Sequence, residues 1–363
     1  MNVYSRWIKR FAITAIVIIS SLVLFNFIVD PNGVFDIVSI QGFNKYKTDS
    51  ISDRITKFYY ARRFKPDSLI IGTSRAAFIS PFDMEKYTKD RVYNLAIYAS
   101  NPYEHYLHLR YMTQFYTIKH MILGLDFISF ISEVREETHF KEKRLERALY
   151  LKDYFDSLFT IAAIKSSYNT VKDNIVKKDI IQNDENGFKF WKKTEGEKDK
   201  ARFAKRSRRV MKYYGKTVYP SANERREVIR KNLDYLGMIV ALAREKNIKY
   251  KLYVSPIYGE LFDLIYAVHI GDLYEDWKRG LAELSDFYDF TGHNEINDNN
   301  MWWGDSSHIV TDGGKLIIAR IYHDTGIPIP DGFGVLVTKQ NVENHIKSLR
   351  HSVKEIDLKE ILR

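Results

Sequence analysis

The stretch 67–75, Asp-Ser-Leu-Ile-Ile-Gly-Thr-Ser-Arg, constrains the fold more than any other part of the chain. Its Leu-Ile-Ile run at 69–71 is the pattern of a strand that is covered on both faces. Gly72 lets the backbone turn sharply and leaves space beside the next residue. Ser74 then stands at the start of a predicted helix, at the sheet edge where α/β proteins bind ligands. The alternative is that Thr73 or Ser74 serves only as the N-cap of that helix.

Strand and helix patterns alternate along the rest of the chain. Further strands are predicted at 92–97, 121–126, 249–254 and 287–290, and helices at 102–116, 223–245, 273–284 and 311–323. This alternation predicts an α/β fold, a three-layer, doubly wound parallel sheet of the flavodoxin-like kind. We assign this domain to residues 67–330.

Three regions depart from the alternation. Residues 132–221 contain no good strand pattern and are interpreted as a helical insertion, with a mobile basic section at 191–216. Such a charge run is typical of either a solvated loop or a binding surface. Residues 331–363 predict a helical C-terminal tail, and residues 31–66 predict a polar, partly helical segment that connects the domain to the amino terminus.

The amino terminus predicts a membrane anchor. Arg6, Lys9 and Arg10 precede an uncharged run at 11–29. About 18 apolar residues suffice to cross a bilayer, and a basic flank stays in the cytoplasm. Residues 1–30 are therefore interpreted as a retained single-pass signal anchor in the cell membrane, with the folded domain extracytoplasmic. A cleaved signal peptide is the alternative, but the bulky end of the run offers no small-residue cleavage pattern.

Composition excludes several kinds of chemistry. The 363 residues include no cysteine, so disulfides, thiolate metal sites and cysteine nucleophiles are excluded. The formal charge of +10 is unevenly distributed, which indicates a local basic surface and not a nucleic-acid-binding fold. Phosphate-loop and dinucleotide signatures are absent around Ser74, and the polar loop 292–298 lacks metal-ligand spacing. We therefore predict neither a cofactor nor a metal.

Three residues indicate nucleophilic catalysis. A serine hydroxyl needs a base within hydrogen-bond reach, and a histidine base needs an acceptor that fixes its tautomer. Asp305 and His308 are three residues apart, a spacing that can bring carboxylate and imidazole together on one turn of loop. This loop lies between the last predicted strand and the last helix of the domain, so its residues can meet Ser74 at the sheet edge. We therefore predict a triad of Ser74, His308 and Asp305.

The segments that carry these residues resemble the SGNH, or GDSL-like, hydrolase superfamily. Gly72-Thr-Ser-Arg75 resembles its first block, in which serine follows the first strand, and Asp305-Ser-Ser-His308 resembles its last block, the Asp-x-x-His pair. The likeness covers about 67–323 without the insertion. It is closest to membrane-anchored envelope members, such as the alginate O-acetylation proteins and the D-alanyl transfer protein of teichoic acid synthesis. The resemblance implies acyl-ester chemistry through an acyl-enzyme on Ser74.

The middle blocks of the family match less closely. The family places an oxyanion-hole glycine after the second strand, where this chain offers a backbone N–H of Ala99 or Ser100. It places an asparagine in the third block, where this chain has Asp126, which cannot donate a hydrogen bond when ionised. We expect Asp126 to pair with Arg75, whose guanidinium would then point into the cleft.

Two further side chains are candidate substrate contacts. Asn101 could donate to a substrate, although asparagine beside a strand end more often satisfies turn backbone. Trp303 could stack on a sugar ring, although tryptophan beside a loop is at least as often a lid on the core.

Two classes of function remain open. The favoured one is an enzyme that transfers an acyl group, with acetyl the first choice, to a glycan or cell-envelope polymer. Its partners would include other membrane proteins of an acylation pathway, and ester hydrolysis would use the same catalytic residues. The alternative is a non-catalytic envelope module that holds an anionic polymer with the same scaffold and the basic insertion. Asp126 favours the module, whereas intact Ser74, His308 and Asp305 favour the enzyme.

Overall fold

The computed structural model describes residues 3–47, 53–133, 140–146, 150–176, 180–181, 186–192, 196–220 and 222–362. The strands within these residues are β1 (Ser68–Ile71), β2 (Val92–Asn94), β3 (His120–Leu125), β4 (Ile180–Ile181), β5 (Phe190–Trp191), β6 (Lys249–Val254), β7 (Phe287–Asp289), β8 (Trp303–Asp305), β9 (His308–Ile309) and β10 (Val335–Val337). The α-helices are α1 (Val3–Val29), α2 (Asp53–Phe64), α3 (Pro81–Thr88), α4 (Pro102–Phe115), α5 (Phe127–Phe130), α6 (Leu151–Phe159), α7 (Ile161–Ile175), α8 (Gly196–Tyr213), α9 (Arg226–Glu245), α10 (Gly259–Ala267), α11 (Gly271–Leu284), α12 (Thr311–Ile321), α13 (Val342–Ser352) and α14 (Leu358–Leu362).

Six of the strands form one sheet, in the order β10-β7-β6-β3-β1-β2. The strands β2, β1, β3, β6 and β7 are parallel, and β10 pairs antiparallel with β7 at one edge. One strand inside the β2 edge, Leu69 of β1 lies opposite Tyr93 of β2 on one side and Met121 of β3 on the other. The predicted α/β fold with a mostly parallel sheet is therefore confirmed.

Alternate side chains of β1 enter two different parts of the core. Leu69 and Ile71 belong to a large cluster with residues of α4, α9 and α11, whereas Ile70 belongs to a second cluster with residues of α3 and α12. Successive residues of a strand point to opposite faces, so both faces of the sheet are covered. The loops that follow the parallel strands leave at one edge, which brings side chains from distant parts of the sequence together there.

The sheet extends into residues predicted as a helical tail. Val335–Val337 forms the edge strand β10, which lies beyond the predicted domain end at 330. The strand has only three residues and its pairing partner is β7, so local sequence carries little signal for it. The helices α13 and α14 do follow, near the predicted positions.

The connecting segment contributes to the core. α2 has low hydrophobicity, yet most of its residues are buried, including Phe58 and the charged Arg54 and Lys57. Arg54 forms an ion pair with Glu104 at 2.8 Å, which offsets part of the cost of burying both charges. The segment is therefore built into the domain, although its composition predicts a polar connector.

The insertion is mostly helical, as predicted, but two details differ. β4 and β5 form a short antiparallel pair in a region predicted to lack strands. The section predicted to be mobile forms the 18-residue helix α8, which buries Phe203 and Met211 and continues into a π-helical turn at Tyr214–Val218. The predicted end of the insertion at 221 lies outside the described residues.

The amino-terminal run forms a single long helix, as predicted. α1 spans 27 residues, has a mean hydropathy of 2.6 over its most apolar window, and leaves most of that window exposed. At 1.5 Å per residue it is about 40 Å long, enough to cross a bilayer. Among the described residues it is the one helix that is long and apolar enough to do so.

Candidate active site

Ser74 lies in a tight turn that follows β1. Gly72 makes this turn possible, since a Cβ there would come within 2.8 Å of the Cβ of Ala76. The residues that follow form a single 3-10 turn, Ala76–Phe78, in place of the predicted helix. No side chain caps this turn through a hydrogen bond, so Ser74 does not serve as an N-cap.

A hydrogen-bonded chain connects Ser74 to His308 and Asp305. Nε2 of His308 lies 2.9 Å from Oγ of Ser74, and its Nδ1 lies 2.9 and 3.0 Å from the two carboxylate oxygens of Asp305. Asp305 ends β8 and His308 begins β9, and the two residues pair across this short antiparallel ribbon. Asp305 thus fixes the proton on Nδ1 and leaves Nε2 free to accept the proton of Ser74.

The carboxylate of Asp305 is held in its ionised form. Burial alone would raise its pKa, but the electrostatic attraction of the His308 ring, together with hydrogen bonds from that ring and from backbone N–H groups, outweighs burial and lowers the pKa. Those N–H groups belong to Ser307 and His308 and lie 2.8 and 3.0 Å from Oδ1. An aspartate that stays charged can stabilise an imidazolium at His308, should the ring accept a proton.

Ser74 and His308 line a cleft. Its cavity has a volume of about 460 Å³, a size typical of small-ligand sites. Arg75, Ser100 and Asn101 also line this cleft. The remaining lining residues come from the turn after β1, the loop after β2 with the start of α4, α5 and the segment after it, the end of α8 with the segment that leads to α9, and the β8–β9 connection: Thr73, Tyr98, Ala99, Glu104, Ile128, Ser129, Ile131, Ser132, Glu133, Val210, Tyr213, Tyr214, Thr217, Val218, Arg225 and Ser307.

Two residues that line the cleft, Ser74 and Ala99, have backbone N–H groups that could hold an oxyanion. Ala99 has a left-handed φ of +50°, and within the described part of the chain its N–H donates no hydrogen bond. The same holds for the N–H of Ser74 among those residues. The other predicted donor, the N–H of Ser100, is already bonded to the carbonyl oxygen of Ile97 at 3.3 Å. Ala99 is therefore the better of the two predicted donors.

The side chain of Ser100 positions the loop after β2. Its Oγ lies 2.8 Å from Nε2 of His105 and 2.8 Å from the carbonyl oxygen of Ile97. Burial, together with the neighbouring His108, lowers the pKa of His105 to about 3, so its ring is neutral near pH 7. A neutral ring can donate one hydrogen bond to Ser100, whose hydroxyl then donates to the backbone. Ser100 thus shapes the loop that presents Ala99.

Two predicted substrate contacts have other roles. Asn101 is the N-cap of α4, where its side chain accepts a hydrogen bond from the N–H of Glu104 at 3.1 Å. Trp303 is fully buried, and its indole N–H donates to the carbonyl oxygen of Ile296 at 2.9 Å. It lies in the core and does not line the cleft, so the predicted stacking of Trp303 on a sugar ring is wrong.

Arg75 and Asp126 form an ion pair, with Nη1 and Oδ1 3.0 Å apart. Asp126 also accepts a hydrogen bond from the hydroxyl of Thr73. Burial alone would lower the pKa of Arg75, but the hydroxyl oxygen of Tyr214 and the charge of Asp126 outweigh it and raise the pKa above its usual range. The pair is nearly inaccessible to solvent, with 7% of the arginine side chain and none of the carboxylate exposed.

The guanidinium of Arg75 does not extend freely into the cleft, contrary to expectation. Its Nε donates to the carbonyl and hydroxyl oxygens of Ser307, both at 3.1 Å, and its Nη2 donates to the hydroxyl of Tyr214 at 3.1 Å. Ser307 lies between Asp305 and His308, so Arg75 connects the β8–β9 turn to the turn that holds Ser74. Asp126 pairs with Arg75 but does not itself line the cleft.

Several aromatic residues at the site were missed by sequence reasoning. Tyr98 and Tyr213 line the cleft with 49% and 55% of their surfaces exposed. Phe78 and Trp191 pack against the His308 ring, with centroid distances of 5.9 and 6.3 Å. Trp191 and Tyr213 belong to the insertion. The packing of the insertion on the sheet edge produces no local pattern in the sequence. Tyr98 directly precedes Ala99, a predicted oxyanion donor, and this position in the sequence could have indicated that Tyr98 lies at the cleft.

No protein-family model matches the chain, and no curated protein matches its sequence either. The functional assignment therefore depends on the residues and geometry of the cleft.

Proposed function

We propose that the chain is a serine acyltransferase of the SGNH, or GDSL-like, type that acts on a glycan or another cell-envelope polymer. The observation that carries the proposal is the continuous hydrogen-bonded chain from Ser74 through His308 to Asp305 at the mouth of a cleft. The sheet, in which β1 lies between β2 and β3, and the position of Ser74 directly after β1 support the SGNH assignment.

In the proposed reaction, Oγ of Ser74 attacks the carbonyl carbon of an ester while Nε2 of His308 takes its proton. Asp305 orients the ring and stabilises the imidazolium. The N–H groups of Ser74 and Ala99 hold the oxyanion, and His308 then protonates the leaving alcohol. An acceptor hydroxyl next gives its proton to His308 and attacks the acyl-enzyme, which releases Ser74 and the acylated product.

The cleft supports a glycan as the acceptor. The exposed rings of Tyr98 and Tyr213 offer apolar faces on which sugar rings can stack, with hydroxyl groups at their tips. Glu133 and Arg225 add charged groups at the same cleft that can bond to sugar hydroxyls.

Transfer and hydrolysis differ only in the acceptor, so the products distinguish them. The full chain in lipid nanodiscs is incubated with p-nitrophenyl acetate and candidate glycans, and acetylated glycan and free acetate are both quantified. We expect acetylated glycan to form at the expense of acetate, because an acceptor bound at the tyrosines excludes water. His308→Gln should lose both products, whereas His351→Gln, on an exposed helix end, should keep both. Acetate alone would favour a hydrolase, and neither product from folded protein would favour the non-catalytic module.

We place the domain outside the cytoplasmic membrane, with α1 as a retained anchor. The basic residues Arg6, Lys9 and Arg10 at the start of α1 favour a cytoplasmic amino terminus. Protease added to intact spheroplasts should therefore digest the domain and leave a cytoplasmic marker protein whole. Digestion of the domain only after lysis would contradict this orientation.

A further inference from the structure

The helices α6 and α7 present an apolar surface to solvent. On α6, Leu151, Phe155 and Phe159 are spaced four residues apart and are 70%, 59% and 53% exposed. On α7, Ile161 and Ile175 lie on one face and are 86% and 68% exposed. A soluble domain rarely leaves so many large apolar side chains together on its surface, so this surface needs an occupant.

The opposite face of α7 packs on α1 through small residues. Ala163, Ser167 and Thr170 are buried and follow one another at helical spacing along this face. The hydroxyl of Ser167 donates to the side-chain oxygen of Asn26 in α1 at 2.8 Å. The amide of Asn26 donates to the carbonyl oxygen of Leu158 at the end of α6, at 2.9 Å. Small residues with bridging hydrogen bonds are the usual means by which helices pack in membranes.

The position of this contact along α1 decides what surrounds the two helices. Asn26 lies inside the uncharged run 11–29, three residues before its end, or about 5 Å along the helix axis. The run is about 28 Å long, close to the thickness of the hydrocarbon core. A bilayer that encloses this run therefore reaches the level at which α6 and α7 touch it.

The charges on the pair suit the boundary of a membrane. Lys165 and Lys172 are exposed on α7, each four residues after an exposed Ile161 or Tyr168. Lysine stems can lie along apolar surface while their ammonium groups reach phosphate groups of lipids.

We infer that α6 and α7 insert their exposed apolar face into the outer leaflet of the bilayer beside α1. The inference rests on the proposed membrane span of α1 and is independent of any catalytic activity. It gives the domain a second contact with the membrane, which fixes its orientation relative to the lipid surface.

The absence of cysteine allows a direct test with single labels. Phe159→Cys and Ile161→Cys place an environment-sensitive fluorophore on the pair, Ile16→Cys places one in the span, and Met238→Cys places one on the exposed side of α9. The labelled full-length chain is reconstituted in nanodiscs that hold one copy. Quenching is measured with phospholipids carrying a nitroxide on the acyl chain and, separately, with aqueous iodide.

We expect the labels at 159 and 161 to lose as much fluorescence to the nitroxide lipids as the label at 16, and to resist iodide. The label at 238 should respond to iodide and not to the lipids. Iodide quenching at 159 and 161 would overturn the inference and leave the span of α1 intact. Protection from both quenchers would also overturn it, in favour of a protein partner. A label at 16 that iodide quenches would overturn both the span and the inference, whatever the result of the acyl-transfer assay.

Discussion

Ser74→Ala should abolish labelling by a fluorophosphonate probe and reduce ester turnover by roughly 10⁴- to 10⁶-fold. The reagent reacts with a serine oxygen that a base has activated, and Nε2 of His308 lies 2.9 Å from this one. The side chain of Ser74 is small and only partly buried. Its removal should therefore change the free energy of unfolding by no more than about 1 kcal/mol.

A second serine of the same cleft provides the matched control. The hydroxyl of Ser132 donates to the carbonyl oxygen of Ile128 at 2.7 Å, and it has no hydrogen bond to a histidine of the described residues. Ser132→Ala should keep both labelling and turnover near the parent values. Labelling that survives in a folded Ser74→Ala variant would show that another residue reacts, and the proposed triad would be wrong.

The meeting of Ser74 and His308 could be predicted because parallel strands impose it. Ser74 lies in the turn after β1, and His308 lies in the β8–β9 ribbon, which follows the sheet strand β7, so a separation of 234 positions does not keep them apart. The apolar run 69–71 predicted a strand that is covered on both faces, and β1 does lie inside the sheet, between β3 and β2.

The parts that could not be predicted depend on partners distant in the sequence. The charged residues of α2 give no sign in the sequence that this helix is buried. Burial is possible because distant residues compensate the charges: Arg54 pairs with Glu104, and Asp53 pairs with Lys189 of the insertion. Trp191 likewise reaches the His308 ring only because the insertion folds back over the sheet edge. No local periodicity carries such information, since each of these pairs joins two separate elements.

The prediction for Trp303 was wrong for a different reason: a substrate contact was inferred from the residue type alone. Tryptophan beside a catalytic loop is compatible with sugar stacking and with core packing. In the structure the indole N–H donates to the carbonyl oxygen of Ile296 inside the core. This hydrogen bond favours core packing and keeps the ring away from the cleft. Tyr98 and Tyr213 have no such buried position, and they are the aromatic rings that line the cleft.

Asp126→Ala should destabilise the fold by roughly 3–5 kcal/mol and impair turnover at the same time. The substitution leaves the buried guanidinium of Arg75 without its carboxylate and removes the acceptor of Thr73. Turnover should fall because Arg75 also holds Ser307, and a loosened Ser307 shifts the neighbouring His308 away from Ser74. Denaturant unfolding of the detergent-solubilised chain, followed by tyrosine and tryptophan signals, measures the first effect, and ester turnover measures the second.

Two variants separate the charge of Asp126 from the mere loss of an ion pair. Glu227→Ala breaks an exposed pair with Arg230, 75% and 73% exposed, and should change the free energy of unfolding far less than Asp126→Ala does. Asp126→Asn keeps an oxygen for Arg75 or Thr73 but not the charge, so its stability should be intermediate. If Asp126→Ala instead left the unfolding free energy unchanged and raised turnover, the carboxylate would be acting on the reaction itself. Its negative charge would then oppose the oxyanion at Ser74, and Arg75 would not neutralise it as the 3.0 Å contact predicts.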